Sequence, residues 1–549
     1  MRARQAVLLL AGFLLSGAAC SAILDLQPPS EPADGGGTDG TTGGEGGNGD
    51  APTGDAPAGD APGPDGGGDA LVCLPVDAGV VLEGGSGPTV WNAFDNPVVD
   101  DAGDHAWAIF DTSTLLSSAG DFQGAAFDGR YIYLVPVSSG IVTRYDTLGS
   151  FSQRGSWSTF DTTTLPLPGG RFSGAVYDGR YVTFVPSAIS NGADVEARYD
   201  TTGDFTSPGS WSTFDTLSLP VPDGGAPAQG FHGGVFDGRY VYFVPYKSGA
   251  VYDGRVVRYD TFPLEGGAPD ADAGEPDAHD AAIPDAEDSG VDAHDAGVAD
   301  AQDSSTDAHE SGAADAGPPP VPPQWSSFDV ATQNASAIGF FGGVYDGRYV
   351  YLVPFYNEGT INSGYSGWVA RYDTTLPFTS IPSWASYDTS QLTGGKSFGF
   401  QGGAFDGRYV YFVPSRGTVV TRYDTQGGDF FSSGNWSAYD VSPLIGPDAS
   451  ADTGHFTTAG FDGRYMYFVP SFAGFGGVVR YDTFSTFSSP CAWSEFDFSQ
   501  YNAQAQNFAG VVYDGQYLYF VPVGSVVTRF DTKSPPSMPN LPSFRGSFY

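Results

Sequence analysis

The sequence predicts an all-β protein, a seven-bladed β-propeller made of four-stranded antiparallel blades. Three short signatures, F/Y-D-G-R/Q-Y, R-Y/F-D-T and W-x-x-F/Y-D, each occur seven times and always in the same order. From Trp107 to Asp531, leaving out the 61-residue stretch 263–323, 364 residues form seven units of 52 residues on average. A repeat of this length fits a propeller blade of four short strands.

Each unit contains four predicted strands. The first reads F-x-G-G/A-V-F/Y, and the Asp-Gly pair after it is a strong hairpin signal, because these residues tolerate the positive φ angles of a tight turn. The second strand reads R-Y-V-Y-F-V and ends at a proline such as Pro245, since proline has no N–H to donate to a ladder. V-V-R-Y-D-T forms the third strand and W-S-T-F-D the fourth.

The second strand is apolar on both faces. In the third unit, alternation sends Arg239, Val241 and Phe243 to one face and Tyr240, Tyr242 and Val244 to the other. Two apolar faces predict a strand covered on both sides, as in blades that stack on neighbouring blades. We interpret the recurring tryptophan as packing as well, and we expect the Arg and Asp of R-Y-D to form an ion pair within the blade.

The order of the signatures predicts how the ring closes. The first signature, at Trp107, is a fourth strand without its own blade, and the last unit ends after its third strand at Asp531. The N-terminal strand is therefore expected to complete the seventh blade, which leaves no open sheet edge.

From Trp107 to Asp531 the chain resembles the kelch-type β-propellers, whose units run from an inner strand through an aromatic second strand to a Tyr-Asp third strand and a Trp-bearing fourth. The chain departs from that family in two places. Val-Pro stands where kelch units carry a Gly-Gly pair, and the gap between tyrosine and tryptophan, as from Tyr199 to Trp211, is wider. The resemblance implies a propeller.

The first residues predict export. Arg2 and Arg4 precede the apolar run of residues 6–15 and a group of small residues, so 1–20 has the layout of a signal peptide. The run is too short to span a bilayer. Residues 17–20, ending at Cys20, resemble the bacterial lipoprotein cleavage box, although that family prefers leucine where Gly17 stands. Lipidation at Cys20 is expected, and ordinary secretion is the alternative.

The domain organisation follows from composition. Residues 21–72 predict a disordered tether, 73–104 an N-terminal lead, 105–535 the propeller and 536–549 a C-terminal tail. The stretch 263–323 predicts a disordered acidic insertion within the propeller, because it has almost no large apolar residue to offset the entropy of ordering.

The net charge of −41 comes largely from these segments. Residues 23–72 hold 10 acids and residues 263–323 hold 16, with no Lys or Arg in either. Nucleic-acid binding is disfavoured, because phosphate contacts require clustered cations. The aspartates of the insertion lack the rest of an EF-hand loop, so we expect no metal and no cofactor.

Cys73 and Cys491 are the other two cysteines. In an exported protein a disulfide between them is chemically permissible, and it would fix the N-terminal lead against the sixth blade. Two unpaired thiols are the alternative.

Residues that recur in every unit are explained by the scaffold, so function should lie where the units differ. At one position of the first strand the residue varies from unit to unit, while the neighbouring positions repeat. In a propeller the seven residues at this position should surround the mouth of the central channel, where ligands often bind. The candidate ligand-binding residues are Gln123, Ser173, His232, Phe341, Gln401 and Thr457, with Ala509 in the seventh unit.

The loops between second and third strands are expected to open on the same face as the channel mouth. They vary most in length, and the longest follow Pro186, Pro245 and Pro354. A polar and aromatic surface is predicted there, from Lys247, Tyr356, Asn357, Tyr365, Trp368 and Arg416. Ordinary solvated loops are the competing interpretation.

The sequence thus predicts a monomeric, non-catalytic binding module of the outer membrane or cell surface, held to the membrane only through its N-terminal lipid. Its partner would be a protein or a glycan. A carbohydrate-active enzyme or lectin is the alternative, because 64 acidic residues always permit some carboxylate pair. No nucleophile elbow, HExxH, P-loop or dinucleotide motif is present.

Overall fold

The computed structural model describes residues 107–167, 170–187, 194–219, 227–262, 324–359, 362–445, 455–471, 477–497 and 507–532. The predicted signal peptide, tether, N-terminal lead, acidic insertion and tail lie outside these residues. Among the described residues, no helix is long and apolar enough to cross a membrane.

The strands are numbered in chain order, beginning with β1 (Trp107–Asp111). Blade one contains β2 (Phe122–Phe127), β3 (Tyr131–Pro136), β4 (Ile141–Asp146) and β5 (Trp157–Asp161). Blade two contains β6 (Phe172–Tyr177), β7 (Tyr181–Pro186), β8 (Val195–Asp200) and β9 (Trp211–Asp215). Blade three contains β10 (Phe231–Phe236), β11 (Tyr240–Pro245), β14 (Arg255–Asp260) and β15 (Trp325–Asp329), with a small hairpin of β12 (Lys247–Ser248) and β13 (Val251–Tyr252).

Blade four contains β16 (Phe340–Tyr345), β17 (Tyr349–Pro354), β18 (Trp368–Asp373) and β19 (Trp384–Asp388). Blade five contains β20 (Phe400–Phe405), β21 (Tyr409–Pro414), β22 (Val419–Asp424) and β23 (Trp436–Asp440). Blade six contains β24 (Phe456–Phe461), β25 (Tyr465–Pro470), β26 (Gly477–Asp482) and β27 (Trp493–Asp497). Blade seven contains β28 (Phe508–Tyr513), β29 (Tyr517–Pro522) and β30 (Val526–Asp531).

Helical structure in the described residues is confined to short turns. One four-residue α-helix, α1, covers Ser442–Ile445. The 3-10 turns are Thr112–Thr114, Arg154–Ser156, Thr162–Thr164, Pro208–Ser210, Thr216–Ser218, Val330–Thr332, Asn362–Gly364, Ile381–Ser383, Thr389–Gly394, Ser433–Asn435 and Pro490–Ala492.

The seven blades are antiparallel sheets of four strands, as predicted. Blade seven has the strand order β1-β30-β29-β28, so the first strand of the described chain completes the last blade. Trp107 pairs with Phe530 and Asp111 with Val526. The predicted closure of the ring is confirmed. The strand β1 pairs with the outer edge of β30, so that edge is not left open.

The core is divided among the spaces between neighbouring blades. In blade three, Val241 and Phe243 pack in a cluster shared with blade two. Tyr242 and Val244, on the other face of the same strand, pack in a cluster shared with blade four. The predicted alternation is confirmed, and it explains why the second strand carries apolar residues at consecutive positions.

The recurring tryptophan is a packing residue, as predicted. Trp211 is 7 % exposed, its ring stacks on Phe160 of the preceding blade with 4.4 Å between centroids, and its Nε1 donates to the Phe205 carbonyl at 2.9 Å. The same indole hydrogen bond recurs at Trp157, Trp384, Trp436 and Trp493.

The Asp-Gly hairpins are fixed by their aspartates. In blade three, Gly238 has φ 98°, which explains the glycine. One oxygen of Asp237 accepts the backbone N–H groups of Arg239 and Tyr240, and the other accepts the Tyr242 hydroxyl. A single carboxylate therefore holds the turn and the strand that follows it.

The prediction that the Arg and Asp of R-Y-D form an ion pair with each other is wrong. Asp260 instead pairs with Arg239 of the hairpin, with 2.8 Å between Oδ2 and a guanidinium nitrogen. The strand register explains this, because Tyr240 lies opposite Asp260 and brings Arg239 beside it. Arg258 lies between the rings of Tyr240 and Phe378, at 3.9 and 4.3 Å from their centroids, where a guanidinium gains cation–π attraction.

The two faces of the ring differ in what they carry. We call the face with the Asp-Gly hairpins the lower face, and the face where first strands begin the upper face. Trp107 and Thr532, the first and last residues of the described chain, lie at the lower face, as do Phe262 and Gln324, which flank the stretch 263–323. The loops between second and third strands lie on the upper face.

Candidate ligand-binding face

The first-strand residues predicted to ring the channel mouth meet at the axis of the propeller. All are buried, at most 4 % exposed: Gln123, Ser173, His232, Phe341, Gln401, Thr457 and Ala509. Gln123 of blade one reaches His232 of blade three, with 3.0 Å between the amide nitrogen and Nε2. The role of these side chains in ligand binding stays a prediction.

His232 contacts two other members of this group, Gln123 and Phe341. Its ring lies on Phe341 with 3.5 Å between centroids and 17° between planes. Burial lowers the pKa of the imidazole to about 3, so the ring is neutral at physiological pH. The side-chain oxygens of Gln123 and Gln401 are buried without a hydrogen-bond partner among the described residues.

Glycines position the upper loops of blades three, four and five. Gly230, Gly339 and Gly399 precede the first strands of these blades, with φ of 74°, 68° and 66°. The Gly230 carbonyl accepts the N–H groups of Tyr246 and Lys247, each at 3.0 Å, and a Cβ on Gly230 would collide with the Lys247 carbonyl. The same double hydrogen bond recurs at Gly339 and Gly399, so each upper loop is held against the start of its own first strand.

These loops bring together a cluster that we call the tyrosine patch, formed by Tyr246, Tyr252, Phe355, Tyr356 and Tyr365. Tyr246 and Tyr252 have 5.4 Å between ring centroids, Tyr252 and Tyr356 have 4.9 Å, and Tyr356 and Tyr365 have 5.1 Å. Phe355 fills the space beneath, 5.5 Å from Tyr365 and 4.5 Å from Phe341. All but Tyr246 are half-buried, so the rings keep one side in solvent.

A cation stands at each end of the tyrosine patch. The Lys247 ammonium lies 4.9 Å from the Tyr252 centroid, and the Arg416 guanidinium lies 5.1 Å from the Tyr365 centroid. Burial raises the pKa of the Tyr246 and Tyr252 phenols, so both stay protonated at neutral pH. The patch therefore offers aromatic faces, neutral hydroxyls and two positive charges.

The loop residues predicted from the sequence coincide only in part with the tyrosine patch. Lys247, Tyr356, Tyr365 and Arg416 belong to the tyrosine patch or its ends. Asn357 supports its own loop, because its amide nitrogen donates to the Ser336 carbonyl at 3.0 Å and its oxygen accepts the Gly359 N–H. Trp368 is the first residue of β18 and packs against the core between blades three and four.

Sequence reasoning missed Tyr246, Tyr252 and Phe355. A signal for two of them exists, because the residue after the Val-Pro of the second strand is aromatic only in blades three and four. In the other blades the corresponding residues are Val137, Ser187, Ser415, Ser471 and Val523. Tyr252 follows no such pattern, since it comes from the hairpin β12–β13, which has no counterpart among the described residues of the other blades.

Cys491 is disulfide-bonded. Its partner lies outside the described residues, as do Cys20 and Cys73. The pairing with Cys73 and lipidation at Cys20 stay predictions. The described part of the chain contains no group of three or more His, Cys, Asp or Glu side chains that could hold a metal ion.

No protein-family model and no curated protein matches the sequence. Solved structures with a similar arrangement include virginiamycin B lyase from Staphylococcus aureus, with 12 % identity, a TM-score of 0.44 and coverage of 77 % of this chain and 98 % of that one. PorZ, a surface component of the type-IX secretion system of Porphyromonas gingivalis, has 9 % identity, a TM-score of 0.38 and coverage of 79 % and 40 %. BamB from Moraxella catarrhalis has 12 % identity, a TM-score of 0.32 and coverage of 73 % and 82 %.

Proposed function

We propose that this propeller is a non-catalytic binding module whose upper face engages a protein or a glycan through the tyrosine patch. The observation that carries the proposal is the asymmetry of that face. The framework residues recur around the ring, but the half-buried aromatic cluster lies on blades three and four, with Arg416 of blade five at its end. A scaffold requirement would apply to every blade.

The chemistry of the tyrosine patch suits binding. Tyrosine supplies a rigid apolar ring with a hydroxyl at its tip, which is why it is enriched at recognition surfaces. Lys247 and Arg416 add charges that can orient a partner. Burial raises the pKa of the Tyr246 and Tyr252 phenols, which makes these two groups poor general bases at neutral pH and supports a role in binding without turnover.

A lectin or carbohydrate-active enzyme is the second candidate, and one observation favours a glycan ligand. The rings of Tyr252, Tyr356 and Tyr365 follow one another with 4.9 and 5.1 Å between centroids, and their planes are inclined at 46° and 84°. Rings at these angles present faces and edges in turn, and a half-buried ring face can pack against the apolar face of a sugar unit.

The lower face supports a surface location. The described chain begins and ends there, and the chain enters and leaves the stretch 263–323 there. If Cys20 is lipidated after export, the anchor joins the side opposite the tyrosine patch. We therefore propose a monomeric lipoprotein of the outer membrane or cell surface that presents its upper face to the partner.

A paired substitution tests this proposal. Tyr252→Ala with Tyr356→Ala should abolish binding on a glycan array or to isolated surface proteins, while circular dichroism and melting temperature stay close to wild type. Phe431→Ala with Phe484→Ala is the matched control, because it removes two exposed rings elsewhere, and it should bind as wild type. Equal loss of binding in the two double variants would contradict binding through the tyrosine patch. Turnover in a hydrolase panel would contradict the non-catalytic assignment.

A further inference from the structure

Exposed apolar side chains are concentrated on the lower face. Ten large apolar side chains are exposed among the described residues, and six of them belong to connections between third and fourth strands, which lie on this face. The six are Leu148, Phe262, Leu376, Ile381, Phe431 and Phe484, at 44 to 80 % exposed. Phe262 adjoins the stretch 263–323, and the other five stand apart from it. Of the same ten, one, Val251, belongs to an upper loop between second and third strands, so the two faces differ in the apolar surface that they offer.

The two most exposed of these side chains occupy the same position in their blades. Leu148 and Phe484 each follow, by two residues, the aspartate that ends the third strand. The N–H of each donates to that aspartate, Asp146 or Asp482, at 3.1 Å, and the strand register up to the aspartate is the same in both blades. The backbone beneath each side chain is therefore fixed, and it presents both side chains to solvent at the same level of the ring.

The exposed side chains are spread around the ring. Leu148 belongs to blade one, Leu376 and Ile381 to blade four, Phe431 to blade five and Phe484 to blade six. Blade one stands across the ring from blades four and five. An interface with another protein needs a contiguous buried area, which side chains on opposite sides of the ring do not form. A lipid surface suits them better, because each side chain can enter the headgroup region separately and the affinity grows with the total apolar area inserted.

The charges beside these side chains are balanced. Six hairpins carry an arginine that pairs with the aspartate at the end of the third strand, with 2.7 to 2.9 Å between the closest atoms. Arg464, one of the six, lies 5.7 Å from the Phe484 centroid. Such pairs add no net charge, and the whole chain carries −41, so nothing here attracts anionic lipid in the way that a polybasic segment does. The phosphates of zwitterionic headgroups remain suitable acceptors for exposed guanidinium groups.

The position of the N-terminal end also favours a lipid surface at this face. Residues 1–106 precede Trp107, which lies at the lower face. A lipid on Cys20, where lipidation is predicted, would hold this face towards a bilayer and leave the tyrosine patch directed away from it.

We propose that the lower face docks on a lipid bilayer with zwitterionic headgroups. Leu148, Leu376, Phe431 and Phe484 enter the headgroup region, and the ring lies flat on the membrane. This contact is made by the folded ring itself, in addition to any lipid on Cys20. It is also separate from partner binding by the upper face, because the two faces share no residue.

Vesicle flotation tests the proposal. The full chain with Cys20→Ser, which removes the predicted lipidation site, should float with phosphatidylcholine vesicles. Adding Leu148→Ser and Phe484→Ser should weaken this binding at least about tenfold. Adding Leu116→Ser and Leu167→Ser instead is the matched control, because it removes two exposed leucines that follow fourth strands on the upper side, and it should leave flotation unchanged. Failure of the Cys20→Ser chain to float, or equal loss in the two combinations, overturns the proposal and leaves a protein partner for this face.

A gain of binding tests the proposal without relying on a loss. Thr202 is exposed and holds the equivalent position in blade two, where its N–H donates to Asp200 at 3.0 Å. Thr202→Phe in the Cys20→Ser chain should strengthen binding to phosphatidylcholine vesicles by about tenfold. Replacing a quarter of the lipid with phosphatidylglycerol should give no increase in affinity. Unchanged affinity in Thr202→Phe, or binding only when anionic lipid is present, overturns the proposal.

Discussion

Gln123 and His232 lie within hydrogen-bonding distance, 3.0 Å, although all of blade two separates them along the chain. His232 also stacks on Phe341 of blade four. One imidazole therefore joins blades one, three and four at the axis, where the glycine-rich first strands come close together.

The buried imidazole should make stability depend on acidic pH. Its pKa falls from 6.5 in the unfolded chain to about 3 in the fold, so between these values the unfolded state binds a proton that the folded state does not. The free energy of unfolding should drop by up to about 1.4 kcal/mol per pH unit as the pH falls from 6.5 towards 3. Urea unfolding of wild type and His232→Gln between pH 7 and 4 measures this, and parallel pH curves would contradict it.

Glu196 should have the opposite pH dependence. Burial raises its carboxyl pKa from 4.5 to about 7, so between these values the folded state keeps a proton that the unfolded chain releases. Stability is lost as the pH rises through this window, by up to about 3 kcal/mol. Glu196→Val should be more stable than wild type at pH 7, with the difference shrinking towards pH 4.5 in urea unfolding. Val256→Leu, at the same position of blade three, controls for packing alone and should show no such pH trend.

The blade tryptophans should make a large contribution to stability. Trp211→Ala removes a buried ring and its hydrogen bond to Phe205, and we expect a loss of about 3 to 5 kcal/mol in the free energy of unfolding. Trp211→Phe keeps most of the stacking on Phe160 and should cost about 1 to 2 kcal/mol. Chemical denaturation measures both losses. Equal losses for Trp211→Ala and Trp211→Phe would show that packing of the ring does not provide the main contribution to stability.

The arginine that lies between two rings should contribute more to the free energy of unfolding than the ion-paired arginine. Arg239 pairs with Asp260 but is 52 % exposed, so Arg239→Ala should cost at most about 1 kcal/mol, and less in high salt. Arg258 lies between two rings and donates to Ser326 and Tyr372, so Arg258→Ala should cost about 2 to 3 kcal/mol with little dependence on salt. Melting curves at low and high salt check both values.

The Cys491 disulfide should be found between Cys491 and Cys73. Peptide mapping without reduction should yield the linked pair, and reduction should lower the free energy of unfolding by about 2 to 4 kcal/mol. Cys491→Ser should show that loss already and respond no further to reductant. A Cys73 peptide that reacts with a thiol reagent in the unreduced protein would exclude the pairing.

Much of the fold could be predicted because each blade repeats the same local signals. Asp-Gly turns, terminal prolines and alternating apolar residues specify the strands of every unit, and the incomplete first and last units predict the pairing of β1 with β30. The ion-pair geometry could not be predicted. Arg258 and Asp260 share a motif, but the partner of Asp260 depends on the register between β11 and β14.

The site was less predictable, because it depends on how separate loops meet. The variable first-strand residues were identified, but pattern alone does not show that Gln123 spans the axis and that the group is buried. Lys247, Tyr356, Tyr365 and Arg416 were identified from their loops. The contact of Tyr252 with Tyr356 joins two blades, and no spacing within one unit encodes it.

The pairing of β1 with β30 has a mechanical consequence. The strand runs from Trp107 at the lower face to Asp111 at the upper face, so tension applied to Trp107 from below acts along the strand axis. Such a force shears all five residue pairs of the ladder together, along with the stacking of Trp107 on Phe496 of blade six. A protein held by its N-terminal end would therefore bear the force across the whole β1–β30 ladder, and the ring would stay closed.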